Sequence, residues 1–352
     1  MAHERPQANV HFPRRSMSIE FQHRQAVHCE SGVTSALLRH QGIEMNEQMV
    51  FGIGSGLFFG FFPFIKIGSI MVITFRNAPG AIFSKTVKRL GVPHRVRRYR
   101  DQGKAMADLD ALIDRGIPVG LQTSLFWLPY LSERLRNHFN AHNIIVYGRE
   151  GDTYRVSEPL MEEPVTIQRQ DLMRARFAKG GMDPKGKMYW LTGKPLREPD
   201  MRKCVLKGLR ETCFIMLKLP VPILGVRGIR SFVKEIRRWP KKMDPELVKL
   251  NLHQFILMQE VVGSGGAGFR FMFAAFLKQC AEILNRPGLL EIAKGMTAVG
   301  DQWRESALLI TQYYRDRIGK NDFYERIPDF INKCADQEQQ QLKTLWKIVK
   351  KG

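Results

Sequence analysis

The rhythm of apolar and polar positions changes near residue 195. Before it, apolar residues come in short runs. Asn143 to Tyr147 is continuous and predicts a buried strand, with Glu150-Gly151-Asp152 as a turn and Thr153–Ser157 as the return strand. Ala81–Leu90 predicts a helix, Val92–Tyr99 a strand, and 108–115 a short amphipathic helix that Gly116 stops; a last strand, Met188–Leu191, precedes the exit Gly193-Lys194-Pro195. From residue 197 the period is 3.6. It predicts helices near 200–218, 226–238, 244–262, 266–285, 287–318 and 322–349, punctuated by Pro220, Pro222, Pro240, Pro287 and Pro328. The expected organisation is a basic leader (1–18), an α+β domain (19–195) and an all-α domain (196–352).

One stretch fits neither rhythm. Met49 to Ile65 is the longest apolar run, but it is shorter than a bilayer span and carries Gly52, Gly54, Gly56, Gly60 and Pro63, too many breakers for a good helix. Its Gly-x-Gly-x-Gly pattern lacks the preceding strand, opening helix and downstream acid of a dinucleotide loop, which excludes nucleotide binding. The glycines predict a close backbone approach to the helix that begins at Cys29. Phe58, Phe59 and Phe61 either fill core or line a groove for an acyl chain.

Composition adds two facts. The 352 residues are 44% hydrophobic and 25% charged, as in a globular protein, and the formal net charge is +21. Such a field attracts nucleic acid, anionic lipid or an acidic protein, or simply keeps the surface solvated. Arg95, Arg97 and Arg98 form one basic cluster. Arg230, Lys234, Arg237 and Arg238 lie beside Ile229, Phe232, Val233 and Ile236 on one helix, which either rests on a membrane or acidic partner or is an ordinary half-buried helix. Five cysteines, odd in number and without a CxxC pair, argue against a disulfide framework or zinc site and for a reducing compartment. The polar first 24 residues lack the apolar core of a secretion signal, so a cytoplasmic location is expected, with peripheral membrane contact left open. No acidic or His-x-x-x-His cluster points to a metal. Val262 to Arg270, rich in glycine, either holds an anion at a helix N-terminus or allows a close helix contact.

The candidate chemistry begins at His28-Cys29-Glu30. Cys29 opens a run of small and apolar residues from Ser31 to Arg39, and a helix N-terminus favours a thiolate. By itself a free cysteine is more often a small buried hydrophobe. A nucleophile also needs a base and a group to orient it. His142 starts the strand 143–147, and Glu158 ends its antiparallel partner, at the same end of the hairpin. Cysteine, histidine on a strand and carboxylate after the next strand is the papain-like order. Gln25, upstream of Cys29, is the candidate for a second oxyanion donor beside the Cys29 N–H, although its spacing does not fit that role cleanly, and a solvent-facing amide is the alternative.

These residues, taken together, resemble the butirosin biosynthesis protein H family. The matching features are His28-Cys29-Glu30 and its helix, Phe51 to Phe62, Gly116-Ile117-Pro118-Val119, Leu128-Pro129-Tyr130, His142 to Gly148, and Glu158-Pro159. In the second half they are Gly263-Ser264-Gly265-Gly266, Phe269-Arg270 and Phe276-Leu277. The resemblance implies a papain-like domain followed by a helical one, turned from hydrolysis to acyl transfer. Cys29 would be the nucleophile, His142 the base and Glu158 the orienting carboxylate. The donor would be an acyl carrier protein bearing the acyl group on 4'-phosphopantetheine, and the acceptor an amine, with no bound cofactor. Arg95, Arg97, Arg98, Arg230 and Lys234 would dock the carrier. A second copy of the chain is a further expected partner. Glu158 stands where the family generally has Asp, and Thr123-Ser124 where it often has an acidic residue. A cysteine peptidase or amidase, and a non-catalytic basic protein binding membrane or nucleic acid, are the alternatives.

Overall fold

A computed structural model describes residues 17–350. Of the expected leader only Met17–Ser18 falls among them; that short strand is β1. The chain continues through α1 (Cys29–His40), α2 (Glu47–Ile53), β2 (Leu57–Ile67), β3 (Ile70–Arg76), α3 (Ala81–Leu90), β4 (His94–Arg97), α4 (Gln102–Ile113) and β5 (Val119–Thr123). Then come β6 (His142–Glu150), β7 (Thr153–Ser157), β8 (Val165–Gln168), α5 (Arg169–Arg176) and β9 (Met188–Leu191). One antiparallel sheet has the order β4-β9-β5-β6-β7-β8, with β1 also paired to β6. Val33 and Leu37 of α1 belong to the same buried cluster as Ile145, Tyr147, Tyr189 and Leu191 on one face of the sheet. Met106 and Leu109 of α4 and Leu172 of α5 cluster with Leu121, Ile144, Val146 and Met188 on the other. Strand β6 is therefore buried on both faces, which is why its sequence is continuously apolar rather than alternating.

The second half is helical: α6 (Met201–Cys213), α7 (Gly225–Ile236), α8 (Trp239–Lys242), α9 (Pro245–Ile256), α10 (Arg270–Leu284), α11 (Gly288–Tyr314) and α12 (Lys320–Val349). Single π-helical turns, 214–218 and 257–261, extend α6 and α9. Pro328 lies inside α12 instead of breaking it. A proline there removes one backbone bond, and the buried flanks Phe323, Ile327 and Ile331 hold the helix across the gap.

The glycine-aromatic stretch forms α2 and then the hairpin β2–β3, a sheet of its own. Two expectations about it are corrected. Phe59 and Phe61 do not line an acyl groove. They are buried in an aromatic core with Phe75, Phe232 and Trp303, because alternate residues of β2 turn toward the helices; Phe58, just before them in the chain, is half-buried. Nor does Gly52 bring the backbone toward α1. A Cβ there would overlap the Phe276 ring of α10, while the Gly52 carbonyl lies where a Cβ on Gly208 of α6 would sit.

Helix α7 buries its apolar side within the fold. Ile229, Phe232, Val233 and Ile236 are buried in the main core, and α7 packs on β2 and α12. Arg230 pairs with Asp336 at 2.8 Å and donates to the Gln339 amide oxygen at 2.8 Å, so its charge is spent within the fold; Lys234 is exposed. Among the described residues no helix is long and apolar enough to cross a membrane. The main buried cluster runs without interruption from α1, α2 and α3 through β2–β3 into the helices.

Candidate active site

Helix α1 begins at Cys29, and Cys29 to Leu38 are all buried. The backbone N–H groups of Cys29 and Glu30 have no acceptor among the described residues, whereas the Val27 and His28 N–H groups donate to the Glu47 carboxylate at 3.2 Å. The positive end of α1 is thus left open at the sulfur.

His142 stands beside the Cys29 thiol, close enough for each to shift the other's ionisation. Its Nε2 contacts both Glu158 oxygens, at 2.8 and 3.0 Å, which leaves Nδ1 free for the thiol. Glu158 is fully buried and also accepts from the Tyr130 hydroxyl at 3.0 Å and the Leu160 N–H at 3.1 Å. The carboxylate is held from three sides, and the imidazole is aligned by it. Burial disfavours the imidazolium, but the charge of Glu158 and the hydrogen bonds to Glu158 and Cys29 outweigh it and raise His142 to about 10. Burial likewise opposes the thiolate. The hydrogen bond and charge of His142, with Arg76 and the Asn143 amide, overcome it and lower the Cys29 pKa. The other cysteines are all buried and unpaired, and burial pushes each of them up, Cys213 to about 12. Of the five cysteines, Cys29 is the one whose surroundings shift it toward the thiolate.

Three further residues complete the site. Asn143 Nδ2 lies 3.6 Å from Sγ and donates to the Ala141 carbonyl at 3.1 Å; its Oδ1 accepts from the Tyr189 hydroxyl at 2.8 Å. Arg76 straddles the nucleophile. Its guanidinium donates to His28 Nε2 at 2.7 Å and pairs with the buried carboxylate of Glu30. Since arginine only donates, His28 Nε2 is an acceptor, while Nδ1 caps α1, 3.4 Å from the Ser31 N–H and 2.8 Å from Ser31 Oγ. Burial, then the charges of Arg76 and His142, hold His28 far below the usual imidazole range, hence neutral. The sequence motif containing Asn143 was visible, but its side-chain role was not. Arg76 comes from the unexpected hairpin, so no local signal marked it.

Gln25 is corrected. It is exposed and its amide donates to the Leu160 carbonyl at 3.3 Å, because the chain before α1 follows the loop after β7. The Gly263–Phe269 segment takes the close-contact alternative. Gly263 packs on His28, Phe269 meets the His28 ring edge-on at 5.1 Å, and the Gly266 and Ala267 N–H groups are already taken by Ser264 and Glu260. Arg95, Arg97 and Arg98 are exposed on the edge strand β4 and just beyond it, Arg97 pairing with Asp108 at 3.3 Å.

The sheet, the cysteine at the head of the helix packed on it, and the histidine and carboxylate on neighbouring strands are a papain-like arrangement in an α+β chain. Among solved structures, a protein from Bacillus anthracis described as a C39-like peptidase is similar over 51% of this chain and 99% of its own, at 15% identity and a TM-score of 0.37, a likeness too slight to carry weight of its own. No curated protein matches. The family model described as "Butirosin biosynthesis protein H, N-terminal" matches residues 28–159, which contain Cys29, His142 and Glu158. The model described as "Domain of unknown function (DUF4872)" matches residues 170–345, half of the chain. The chain therefore belongs to the butirosin biosynthesis protein H-like family, with that N-terminal domain followed by the DUF4872 domain.

Proposed function

We propose that the protein is a cysteine acyltransferase that takes an acyl group from the phosphopantetheine thioester of an acyl carrier protein and gives it to an amine. The Cys29 thiolate attacks the thioester carbonyl carbon. The tetrahedral oxyanion is held by the open Cys29 N–H and by Asn143 Nδ2, which takes the place expected of Gln25. Collapse expels the carrier thiolate, which receives the proton of the His142 imidazolium. The amine then attacks the Cys29 thioester, His142 removes its proton, and the amide leaves with Cys29 as thiolate again.

The observation that carries this reading over peptide hydrolysis is access. Cys29 is only 8% exposed and His142 2%, so a slender pantetheine arm suits the sulfur better than an extended polypeptide. The +21 net charge and the exposed arginines at β4 suit an acidic carrier. Intact mass spectrometry after mixing with a butyryl-loaded carrier tests it. An added butyryl group, absent in Cys29→Ala and passed to an added amine, is the expected result. No adduct, or release of butyrate at the same rate with and without amine, would overturn it; cleavage of peptides would then point to the peptidase.

A further inference from the structure

The residues on either side of the nucleophile are polar and buried: His28 is 2% exposed and Glu30 fully enclosed. Polar groups so placed need partners. A single side chain serves both. Arg76, the last residue of β3, gives one Nη to His28 Nε2 at 2.7 Å and the other to the Glu30 carboxylate. The planar guanidinium fork can span two acceptors in this way, and a lysine ammonium has no such fork. The fork is itself anchored. Its Nε donates to the Asn77 carbonyl at 3.0 Å, and the Asn77 amide donates to the Gly54 and Ser55 carbonyls at 3.1 and 2.9 Å.

Both ends of the span are fixed from their far sides as well. Glu30 accepts from the Gly80 N–H at 2.9 Å and the Phe83 N–H at 3.1 Å, at the start of α3, where Gly80 brings no capping side chain. Burial pushes the Glu30 carboxyl up, but the charge of Arg76 and these hydrogen bonds outweigh it and hold the group ionised. His28 gives its N–H to Glu47 at 3.2 Å, caps α1 through Nδ1, and meets the Phe269 ring edge-on. Its carbonyl accepts the Gly32 N–H at 2.8 Å. Cys29 is thus the middle residue of a segment held at both ends. The consequence is for the backbone. The Cys29 N–H shares a rigid peptide plane with the His28 carbonyl, so its direction follows from the hold on His28.

We infer that Arg76 is a positioning residue for the chemistry of Cys29: by clipping His28 to Glu30 it keeps the Cys29 N–H aimed at the oxyanion. This rests on the reading of Cys29 as a nucleophile that becomes acylated, which transferase and peptidase share, and not on the carrier or the amine.

The test compares two reactions of one sulfur. Iodoacetamide loses iodide to the thiolate at a saturated carbon and forms no oxyanion. Acetyl N-acetylcysteamine thioester is attacked at its carbonyl carbon, passes through an oxyanion and expels its thiolate, leaving an acetyl group on Cys29 that intact mass spectrometry follows in a single turnover. Arg76→Lys keeps a positive charge for Glu30 and loses the span to His28. Its alkylation should keep the wild-type pH profile, while acetylation at saturating thioester should slow roughly 10- to 100-fold with the half-saturating concentration within about twofold. His28→Asn keeps a helix-capping side chain that is too short to meet the guanidinium, and should show the same split. Equal slowing of the two reactions would overturn the inference, as would acetylation at the wild-type rate in either variant. A wild-type sulfur that alkylates and is never acetylated would overturn it too. Should Arg76→Lys fail to fold, His28→Asn decides. Transfer is scored separately: an acetyl-enzyme that yields amide with no added amine would sink the transferase reading and leave the clip standing.

Discussion

Cys29, His142 and Glu158 lie 113 and 16 residues apart in the chain, yet their grouping was legible for a local reason. A strand that turns at Glu150–Asp152 must return residue 158 beside residue 142. Asn143 and Arg76 were not legible as site residues, because they converge from β6 and β3 and share no spacing. The residue-scale predictions concern ionisation. Cys29 is lowered and His142 raised to about 10, so the thiolate–imidazolium pair exists above the first and below the second. The iodoacetamide rate should therefore rise as pH passes upward through the lowered thiol pKa and then stay flat until near pH 10. Glu158→Gln removes the charge that sustains His142. The rise should then move to higher pH, toward an ordinary thiol, and acyl transfer should fall about 100-fold. Asn143→Ala should slow acylation by about 100-fold, with much less effect on alkylation, because it removes an oxyanion donor and not the base.

At the scale of elements, the helices of the second half followed from their period, and α3, β7 and β9 followed from theirs. The hairpin β2–β3 did not. Its glycines and phenylalanines fit no single period, because β2 is packed between α7 and the aromatic core at one end and exposed at the other, where Phe64 is 70% exposed. The π-helical turns were invisible for a similar reason: an inserted residue leaves the apolar pattern nearly intact. The hairpin and helices are tied by Arg270. It pairs with Glu338 at 2.7 Å, donates to the Gly268 carbonyl at 2.6 Å, and lies over Phe75 and Trp303, all four of its partners buried. Removing one member strands a buried charge. Glu338→Ala should cost about 3–5 kcal/mol of stability in urea unfolding, whereas an exposed pair such as Lys294–Glu291 should be within about 0.5 kcal/mol of neutral when broken.

For the whole molecule, the shared cluster that spans α1–α3, β2–β3 and the helices leads to a different expectation from two independent units. Calorimetry should show one cooperative unfolding transition, and residues 19–195 expressed alone should fail to give it. Two separated transitions would contradict that. The charge distribution carries the other prediction. Arg95→Glu with Arg98→Glu should raise the KM for a carrier-bound substrate about tenfold and leave that for a small thioester unchanged, and added salt should do the same to the wild type. The Gly263–Phe269 segment, which backs His28 next to the nucleophile, has a consequence during synthesis. A ribosome finishes every strand of the sheet before it reaches that loop. The thiol acquires its full setting only once most of the polypeptide has emerged, so a prematurely terminated product lacking the loop should carry a dormant sulfur rather than a reactive one.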